Sequence, residues 1–394
     1  MKSLENFNTE TFLKEYWQKK PLLIKAGLSP AMFQLSPDEL ASMALEEDIE
    51  SRLITGNVEQ GFELHHGPLE ENRFSELPEK DWTLLVQAVD HWVPEVTALK
   101  DYFSFIPNWR IDDVMVSYAT PGGSVGPHYD NYDVFLIQGL GKREWRLGQQ
   151  CSKKTKRRKD QPLTLIEDFQ EQQRHILSPG DILYLPPSLA HWGIALASDD
   201  DHCMTYSVGF RAPSYRDILS HYCDHLLDKL DEQHRYQDPQ LNPTTATAEI
   251  PATALGQLSS IIENMLGDKA AQTEWFGRFM TEPKYPDLHQ EEEQDYQFSD
   301  IAELLKEGAL CFKNPSSRFA YHFSDNRFHL FVDGDYHPSA IDDKEWLEKL
   351  CNQSYITALD IDPMGLSFNL KNLLCSLFNK GCLYFHSDND EDFD

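Results

Sequence analysis

Pro121-Gly-Gly-Ser-Val-Gly-Pro-His-Tyr-Asp130 is the stretch that decides the fold, and Gly180-Asp-Ile-Leu-Tyr-Leu-Pro-Pro-Ser-Leu-Ala-His191 completes it. Side chains alternate between the two faces of a strand, so His128 and Asp130 are predicted to point the same way. After the Gly-Asp and Pro-Pro turns of the second stretch, His191 can reach them from a facing strand. Two imidazoles and one carboxylate leave three positions of an octahedron open, which is the ligand set of non-haem Fe(II) oxygenases.

The region around these two stretches, from 110 to 212, alternates short apolar runs with Gly/Pro turns. Many short strands separated by turn signals indicate a β-sandwich or a β-barrel. We therefore expect this region to be the catalytic core. The expected strands cover 114–120, 125–129, 134–140, 143–147, 163–166, 175–177, 182–185, 191–196 and 203–210.

The segments on either side of this core are predicted to be mainly helical. Before it we expect helices over 9–20, 36–46 and 81–104, a strand over 22–24 and a hairpin within 51–70. After it we expect helices over 214–235, 252–266, 268–281, 299–306, 343–351 and 363–379, a hairpin over 319–332 and a last strand from Leu383. The predicted domains are a catalytic domain over 1–212 with its core over 110–212, a helical block over 213–285 and a winged-helix-like domain over 295–394.

Charge and composition narrow the class of protein. The 394 residues carry a formal net charge of −30, which argues against broad nucleic-acid binding and favours a basic partner. One loop, 153–159, has six basic residues in seven; a solvated loop is the preferred interpretation, and contact with a phosphate backbone is the alternative. The chain has no run of 18 apolar residues and no apolar N-terminal stretch, so we expect neither a membrane span nor a signal peptide. Seven cysteines without a CxxC pair are typical of reduced thiols in a cytosolic protein.

A cation for a bound carboxylate is predicted on the strand that follows the first stretch. An Fe(II) oxygenase that uses 2-oxoglutarate must pair the distal carboxylate of that molecule in a nearly dry pocket, and the planar fork of arginine can bind two oxygens at once. Arg143 lies 15 residues after His128, in Lys142-Arg-Glu-Trp-Arg146. Alternation puts Arg143 and Trp145 on one face. Because tryptophan belongs inside a barrel, Arg143 is predicted to point inward.

These motifs resemble those of the bacterial ribosomal oxygenases, which are JmjC-type members of the cupin superfamily. The resemblance implies an α+β fold with a double-stranded β-helix (jelly-roll) core, a helical dimerisation block and a C-terminal winged-helix-like domain. It covers about 1–215 by motif and the rest by architecture. The motifs that carry it lie at 12–24, 121–138, 141–146, 180–193 and 206–213.

The resemblance also implies roles for individual residues. His128, Asp130 and His191 match the iron ligands, and Arg143 matches the residue that binds 2-oxoglutarate. The implied reaction uses Fe(II), 2-oxoglutarate and O2 to hydroxylate an arginine of a large-subunit ribosomal protein, which in the bacterial branch is protein sixteen. Many histidine-hydroxylating relatives have lysine where this chain has Arg143, and this difference favours arginine as the target.

The acid that would bind the substrate guanidinium is predicted to be Asp113, with Tyr132 and Ser207 as polar groups at the rim of the pocket. Asp112 is the competing acid. A turn formed by the Asp-Asp pair, without any role in binding, is an equally good interpretation of the same two residues.

Two other classes of function stay open at this point. The same chemistry could act on a histidine, on another protein side chain or on a small molecule, or the chain could be a non-catalytic module for ribosome binding or assembly. The intact triad and the inward Arg143 favour catalysis. The expected partner is a basic ribosomal protein, and the protein is expected to be a cytoplasmic homodimer without membrane contact or direct nucleic-acid binding.

Overall fold

The computed structural model describes residues 2–197, 202–239, 241–243, 245–286, 295–324, 326–340, 343–353, 355–357 and 366–385. The beginning of the helix predicted over 363–379 lies outside the described residues. Contacts divide the chain into two compact units, one formed mainly by residues up to Ala212 and the other mainly by residues from Pro213 onward. No described helix is long and apolar enough to cross a membrane.

Strands dominate the described part of the first unit. They are β1 (Leu22–Ile24), β2 (Ser51–Asn57), β3 (Gly61–His66), β4 (Trp82–Val86), β5 (Ile111–Ala119), β6 (Val134–Leu140), β7 (Arg143–Gln150), β8 (Gln173–Leu177), β9 (Ile182–Leu185), β10 (Leu189–Ala195) and β11 (Cys203–Phe210). The α-helices are α1 (Thr9–Glu15), α2 (Pro37–Met43), α3 (Glu71–Ser75) and α4 (Pro94–Thr97). Four 3-10 segments cover Pro30–Met32, Val89–His91, Ala98–Phe103 and Asn108–Arg110.

Two antiparallel sheets form the core of this unit. The large sheet has the order β1-β9-β6-β11-β5-β4-β2-β3, and the small sheet has the order β10-β7-β8. Leu136 of β6 packs with Trp145 and Leu147 of β7 in one apolar cluster, so the two sheets lie face to face. Neighbouring strands are mostly not consecutive in the chain, which is the topology of the predicted double-stranded β-helix.

The other face of the large sheet is covered by the N-terminal helices. Phe12 of α1 and Leu40 of α2 pack with Val116 and Phe135 of the sheet. Because both faces are covered, the central strand β11 is buried along its whole length. A capping box at Ser36 fixes the start of α2 by satisfying backbone donors that the first helical turn cannot pair itself.

The helix predicted over 81–104 is wrong. Trp82–Val86 forms β4, which pairs with β2 and β5. Leu84 and Leu85 pack into different apolar clusters, as neighbouring residues of a strand do. Ala88 has a φ of +51°, and Pro94 then begins the short α4. The spacing that suggested a helical stripe therefore comes from a strand followed by turns.

Of the nine strands predicted between 114 and 210, seven form. The predictions over 125–129 and 163–166 are wrong, because each segment contributes only a single bridge, from His128 and Ile166 respectively. The predicted helix over 9–20 is too long, since α1 ends at Glu15. Gln18 has a φ of +57°, which a right-handed helix cannot include.

The second unit mixes helices with short strands, as predicted, but the helix predicted over 214–235 is too long, since the observed helix ends at Leu227. Its described elements are α5 (Tyr215–Leu227), α6 (Ala252–Leu266), α7 (Lys269–Thr281), α8 (Phe298–Lys306), β12 (Cys311–Lys313), β13 (Phe319–Ser324), β14 (Arg327–Val332), β15 (Asp335–Ala340), α9 (Lys344–Asn352), β16 (Tyr355–Ile356), α10 (Phe368–Asn379) and β17 (Leu383–Phe385). Phe328 of β14 shares a core with Leu347 of α9 and Leu374 of α10. In contrast, α6 has no buried residue.

Candidate metal centre

Three side chains with metal-ligating atoms meet in the first unit. One ligand atom each of His128, Asp130 and His191 lies within 4.8 Å of the other two. Asp130 Oδ2 is 3.5 Å from Nε2 of His191 and 3.9 Å from Nε2 of His128. In the part of the chain that the structure describes, no other three His, Cys, Asp or Glu side chains come close enough to hold one ion.

The backbone sets this arrangement. His128 and His191 exchange both of their backbone hydrogen bonds, at 3.0 and 2.8 Å, which brings their ring centroids to 4.2 Å. The amide of Ser188 donates to the carbonyl of Asp130 at 2.6 Å. Gly126 has a φ of +74°, and a Cβ there would lie 2.8 Å from Leu165, so the turn before His128 requires glycine. The His128–Asp130 segment is thus held by a turn and a bridge, and the strand predicted for it is absent.

The hydrogen bonds of both rings favour metal binding. Nδ1 of His128 lies 3.0 Å from the carbonyl oxygen of Gly126, and Nδ1 of His191 lies 2.9 Å from that of Leu189. Nδ1 of each ring therefore donates, which leaves the lone pair of Nε2 facing Asp130. Burial, and then the nearby His128, lower the pKa of His191 well below its usual range. His191 is thus a neutral imidazole at neutral pH, the form that binds a divalent metal.

A cavity of about 360 Å³ opens beside these three residues and is lined in part by Arg143 and Trp145. Both side chains lie on the cavity face of β7, as the alternation predicts. Arg143 is only 6% exposed, and its Nη1 donates to Ser117 Oγ at a long 3.4 Å. Its Nε and Nη2 are buried and have no hydrogen-bond partner among the described residues. Unpaired buried donors are costly, so the site fits a ligand carboxylate that would pair with both nitrogens.

The three predicted substrate residues are divided between the cavity and its surroundings. Ser207 and Tyr132 line the cavity, and Tyr132 is 43% exposed, so it stands at the rim. Asp113 is not among the lining residues and is 3% exposed. It lies on β5 two residues before Met115, which lines the cavity and pairs with Ser207. Asp113 therefore shares the cavity face of β5 and lies just beyond the cavity itself.

Asp113 is held by neighbours that the sequence did not indicate. Its Oδ2 accepts hydrogen bonds from Gln87 Nε2 at 2.6 Å and from the amide of Ala88 at 3.0 Å. Gln87 Oε1 in turn accepts from Arg52 Nη2 at 3.4 Å, and Arg52 lines the cavity. Asp112 belongs to the opposite face of β5, where alternate residues enter the apolar core.

Arg52 and Gln87 are the functional candidates that sequence reasoning missed. Arg52 could have been found from the strand pattern. It lies two residues before Ile54 on β2, so both side chains share a face, and both line the cavity. Gln87 could not, because it follows β4 in a segment that was predicted to be helical. Ser117 contacts Arg143 and shares the cavity face of β5 with Met115. The alternation of side chains along β5 could therefore have placed Ser117 in the cavity as well.

Comparison with known proteins assigns the family. Residues 98–218 match the model of the JmjC domain, and residues 264–384 match that of the ROXA-like winged helix. The ribosomal protein uL16 3-hydroxylase of Escherichia coli is 34% identical over 382 residues, which cover 96% of this chain and 98% of the relative. This chain belongs to the ribosomal oxygenase family. The predicted family and fold class are confirmed.

Other members of the ribosomal oxygenase family give the same result. The probable ribosomal oxygenase of Haemophilus influenzae is 33% identical over 364 residues, covering 88% of this chain and 83% of the relative. The crystal structure of E. coli YcfD has a TM-score of 0.87 at 32% identity, covering 98% of this chain and 100% of that one. A structure of YcfD in complex with cobalt and 2-oxoglutarate has a TM-score of 0.83 at 32% identity, covering 98% and 99%.

Proposed function

We propose that this ribosomal oxygenase uses Fe(II), 2-oxoglutarate and O2 to hydroxylate an arginine side chain of a large-subunit ribosomal protein. The observation that carries the proposal is the meeting, in one cavity, of the His128, Asp130 and His191 ligand atoms with the two unpaired nitrogens of Arg143. The name of the E. coli relative, ribosomal protein uL16 3-hydroxylase, supports the substrate class. When bound, iron, 2-oxoglutarate and O2 would supply the oxidant that puts oxygen into a C–H bond and would leave succinate and CO2.

His128, Asp130 and His191 would hold the metal. Two neutral nitrogens and one carboxylate suit Fe(II) and leave coordination positions for other ligands. The backbone carbonyls that accept from the Nδ1 atoms fix the ring orientations before the metal arrives, so little reorganisation accompanies binding. A complex of YcfD with cobalt, a common stand-in for iron, supports a divalent metal in this family.

Arg143 would bind the distal carboxylate of 2-oxoglutarate. The guanidinium is buried and offers two nitrogens that no described residue occupies, which suits a bidentate pair. Ser117 is positioned to share the task, because its hydroxyl already accepts from Arg143. The ring of Trp145, whose centroid is 5.9 Å from the guanidinium carbon, shields the pair from water. Exclusion of water lowers the local dielectric constant, and the attraction within the ion pair rises with the inverse of that constant.

Tyr132 and Ser207 would receive the substrate arginine in the cavity, and Asp113, which lies just beyond it, would attract the guanidinium inward. Tyr132 stands at the exposed rim and Ser207 lies inside the cavity, so a side chain entering from solvent passes the first and reaches the second. Asp113 supplies the negative charge that a guanidinium needs. Its hydrogen bonds from Gln87 and Ala88 hold one carboxylate oxygen in place. The net charge of −30 would attract a basic ribosomal protein, with an effect that weakens as salt is added.

The decisive experiment is mass spectrometry of ribosomal proteins after reaction. Ribosomal particles from cells that lack this protein are incubated with the purified full chain, Fe(II) and 2-oxoglutarate. We expect a one-oxygen mass increase on an arginine of a large-subunit protein, and none with the Asp130→Ala variant. A mass increase on histidine alone would assign another target to the same chemistry. Unchanged ribosomal proteins would refute the proposed substrate class.

We also propose that the protein is a cytoplasmic homodimer that pairs through its helical block, over 213–285, and carries a separate winged-helix-like domain over 295–394. The support is the exposed apolar surface of α5 and α6, of which Leu219, Leu255 and Leu258 are 58%, 52% and 48% exposed. Exposed apolar side chains that recur on neighbouring turns of a helix are typical of a surface that a protein partner covers. Sedimentation equilibrium should give a dimer for the full chain and a monomer for a Leu255→Asp/Leu258→Asp variant. A monomeric wild-type chain would contradict the proposal.

A further inference from the structure

The loop over 153–159 is the strongest concentration of positive charge in an acidic chain. It carries Lys153, Lys154, Lys156, Arg157, Arg158 and Lys159 within seven residues. All of these except Arg158 are exposed, and Arg158 is half-buried. None of the six forms an ion pair within 4.0 Å with any residue that the structure describes. Asp160 and Glu167 line the same hollow as Arg157, Arg158 and Lys159. The six cations outnumber these two carboxylates, so the loop keeps a local surplus of positive charge that attracts an anion from outside.

The loop is fixed beside the active-site cavity. Arg157 Nη2 donates to Tyr129 Oη at 2.9 Å, and its guanidinium carbon lies 5.1 Å from the centroid of the Tyr129 ring, which lines the cavity. The amide of Arg158 donates to the carbonyl of Leu165, another lining residue, at 2.9 Å. Arg158 Nη1 donates to the carbonyl of Val58 at 3.3 Å. The two arginines therefore anchor the loop to the rim, and the four lysines remain available.

We propose that this loop binds the phosphate backbone of RNA that accompanies the substrate protein. The choice of RNA rests on the proposed function, because a basic ribosomal protein would be repelled by six cations beside the cavity it must enter. The anionic molecule to which a ribosomal protein is bound is RNA. Lysine side chains suit this contact because each brings one mobile positive charge to a phosphate without reading the base sequence. The composition still argues against broad nucleic-acid binding, so the contact is confined to this loop.

The position of the loop implies that two surfaces of opposite charge bind two different molecules at the rim of the cavity. The acidic remainder of the chain attracts the basic protein, and the basic loop accepts the RNA next to it. The enzyme would then prefer the substrate in its RNA-bound form, since only that form satisfies both charges. Free RNA alone would bind weakly, because the rest of the chain repels it.

Binding of a fluorescein-labelled single-stranded RNA to the full chain, followed by anisotropy at several KCl concentrations, tests the proposal. The test variant replaces Lys153, Lys154, Lys156 and Lys159 with alanine and keeps both anchoring arginines. The control variant makes the same charge change at four exposed, scattered lysines. These are Lys14, Lys80, Lys229 and Lys306. Circular dichroism melting confirms that both variants are folded.

We expect the test variant to lose at least about tenfold in RNA affinity at low salt, and the control variant to bind like the wild type. The slope of log K against log salt should flatten by about 3, since each phosphate contact on a single strand contributes about 0.7. Equal binding by all three proteins, or no binding by the wild type, would overturn the proposal. Lysine-dependent binding of polyglutamate that is tighter than that of RNA would overturn it in favour of an acidic protein partner.

Arginine hydroxylation by the same three proteins separates this proposal from the proposed function. We expect the loop variant to hydroxylate RNA-free substrate protein as the wild type does and to be slower on the RNA-bound form. Lysine-dependent RNA binding without any arginine hydroxylation would refute the proposed function and leave the loop proposal standing. Hydroxylation that is unaffected by the loop variant on both forms, together with unaltered RNA binding, would refute the loop proposal alone.

Discussion

Replacing Arg143 with methionine should separate ligand binding from stability. Methionine matches the stem of arginine as far as Nε and has no donors, so Arg143→Met removes the buried guanidinium and keeps the packing of the stem. Two of the guanidinium nitrogens have no partner among the described residues. Each unpaired buried donor costs about 1–3 kcal/mol in the ligand-free protein. We therefore expect the metal-loaded variant without 2-oxoglutarate to be at least as stable as the wild type.

The same change should nearly abolish binding of 2-oxoglutarate. Removing one partner of a buried, hydrogen-bonded charge pair costs about 2–5 kcal/mol of binding free energy. This corresponds to a roughly 30- to 5000-fold rise in Kd. At a ligand concentration of 100 times its Kd, the wild type should gain about 2.7 kcal/mol of unfolding free energy. The variant should gain almost nothing at that concentration.

Urea denaturation of metal-loaded protein, with and without 2-oxoglutarate, measures both effects. Arg146→Met is a matched control, because Arg146 lies on the opposite face of the same strand and its Nη2 pairs with Glu144 at 2.7 Å. The control should respond to 2-oxoglutarate as the wild type does. A variant of Arg143 that is strongly destabilised without ligand, or that keeps the full stabilisation by 2-oxoglutarate, would refute the reasoning.

Three further predictions concern single carboxylates. Asp130→Ala should abolish 2-oxoglutarate turnover, measured as succinate release, and leave the circular dichroism spectrum unchanged; turnover that survives would remove Asp130 from the metal site. Asp113→Asn should raise KM for the ribosomal substrate by roughly tenfold or more, since a charge-assisted hydrogen bond is worth about 1.5–3 kcal/mol. It should leave unchanged the turnover of 2-oxoglutarate measured without the ribosomal substrate. An unaltered KM would favour a structural role for Asp113. Burial raises the pKa of Asp181, but hydrogen bonds from Lys25 and from two backbone amides outweigh it, so the pKa lies below its ordinary value. The carboxylate therefore stabilises the fold above about pH 4 and loses that contribution as the pH falls through the lowered pKa. Asp181→Asn should lower the unfolding free energy by about 1–3 kcal/mol at neutral pH, and urea titrations should show the gap closing in acid; a gap that is constant with pH would contradict this.

Local chemistry explains the parts of the structure that the sequence predicted well. The strands of the core have apolar runs bounded by Gly/Pro turns, and the alternation along β7 was enough to place Arg143 and Trp145 on one face. Ser36 and Ser214 begin α2 and α5 with capping boxes, whose two residues lie three positions apart in the chain and can therefore be read from the sequence. Contacts between residues three or four positions apart are what a sequence pattern records directly.

Errors arose where distant segments decide the local conformation. The 82–86 segment has the spacing of a helix, but it becomes β4 because β2 and β5 offer it hydrogen bonds on both sides. His128 was expected on a strand, but its segment pairs only once, with His191. In both cases the deciding partner lies tens of residues away, where no local propensity can indicate it.

The sequence by itself determined the type of chemistry: the His-x-Asp spacing, the later His191 and the inward Arg143 together indicate a metal and a carboxylate ligand. Only the tertiary structure decided what surrounds them. It joined Asp113 to Gln87, placed Arg52 in the cavity wall and laid Arg157 over Tyr129 at the rim. The kind of ligand that a side chain can bind depends on the chemistry of that side chain alone, so it can be read from the sequence. The shape and charge of a rim depend on which distant loops meet there, and folding alone brings those loops together.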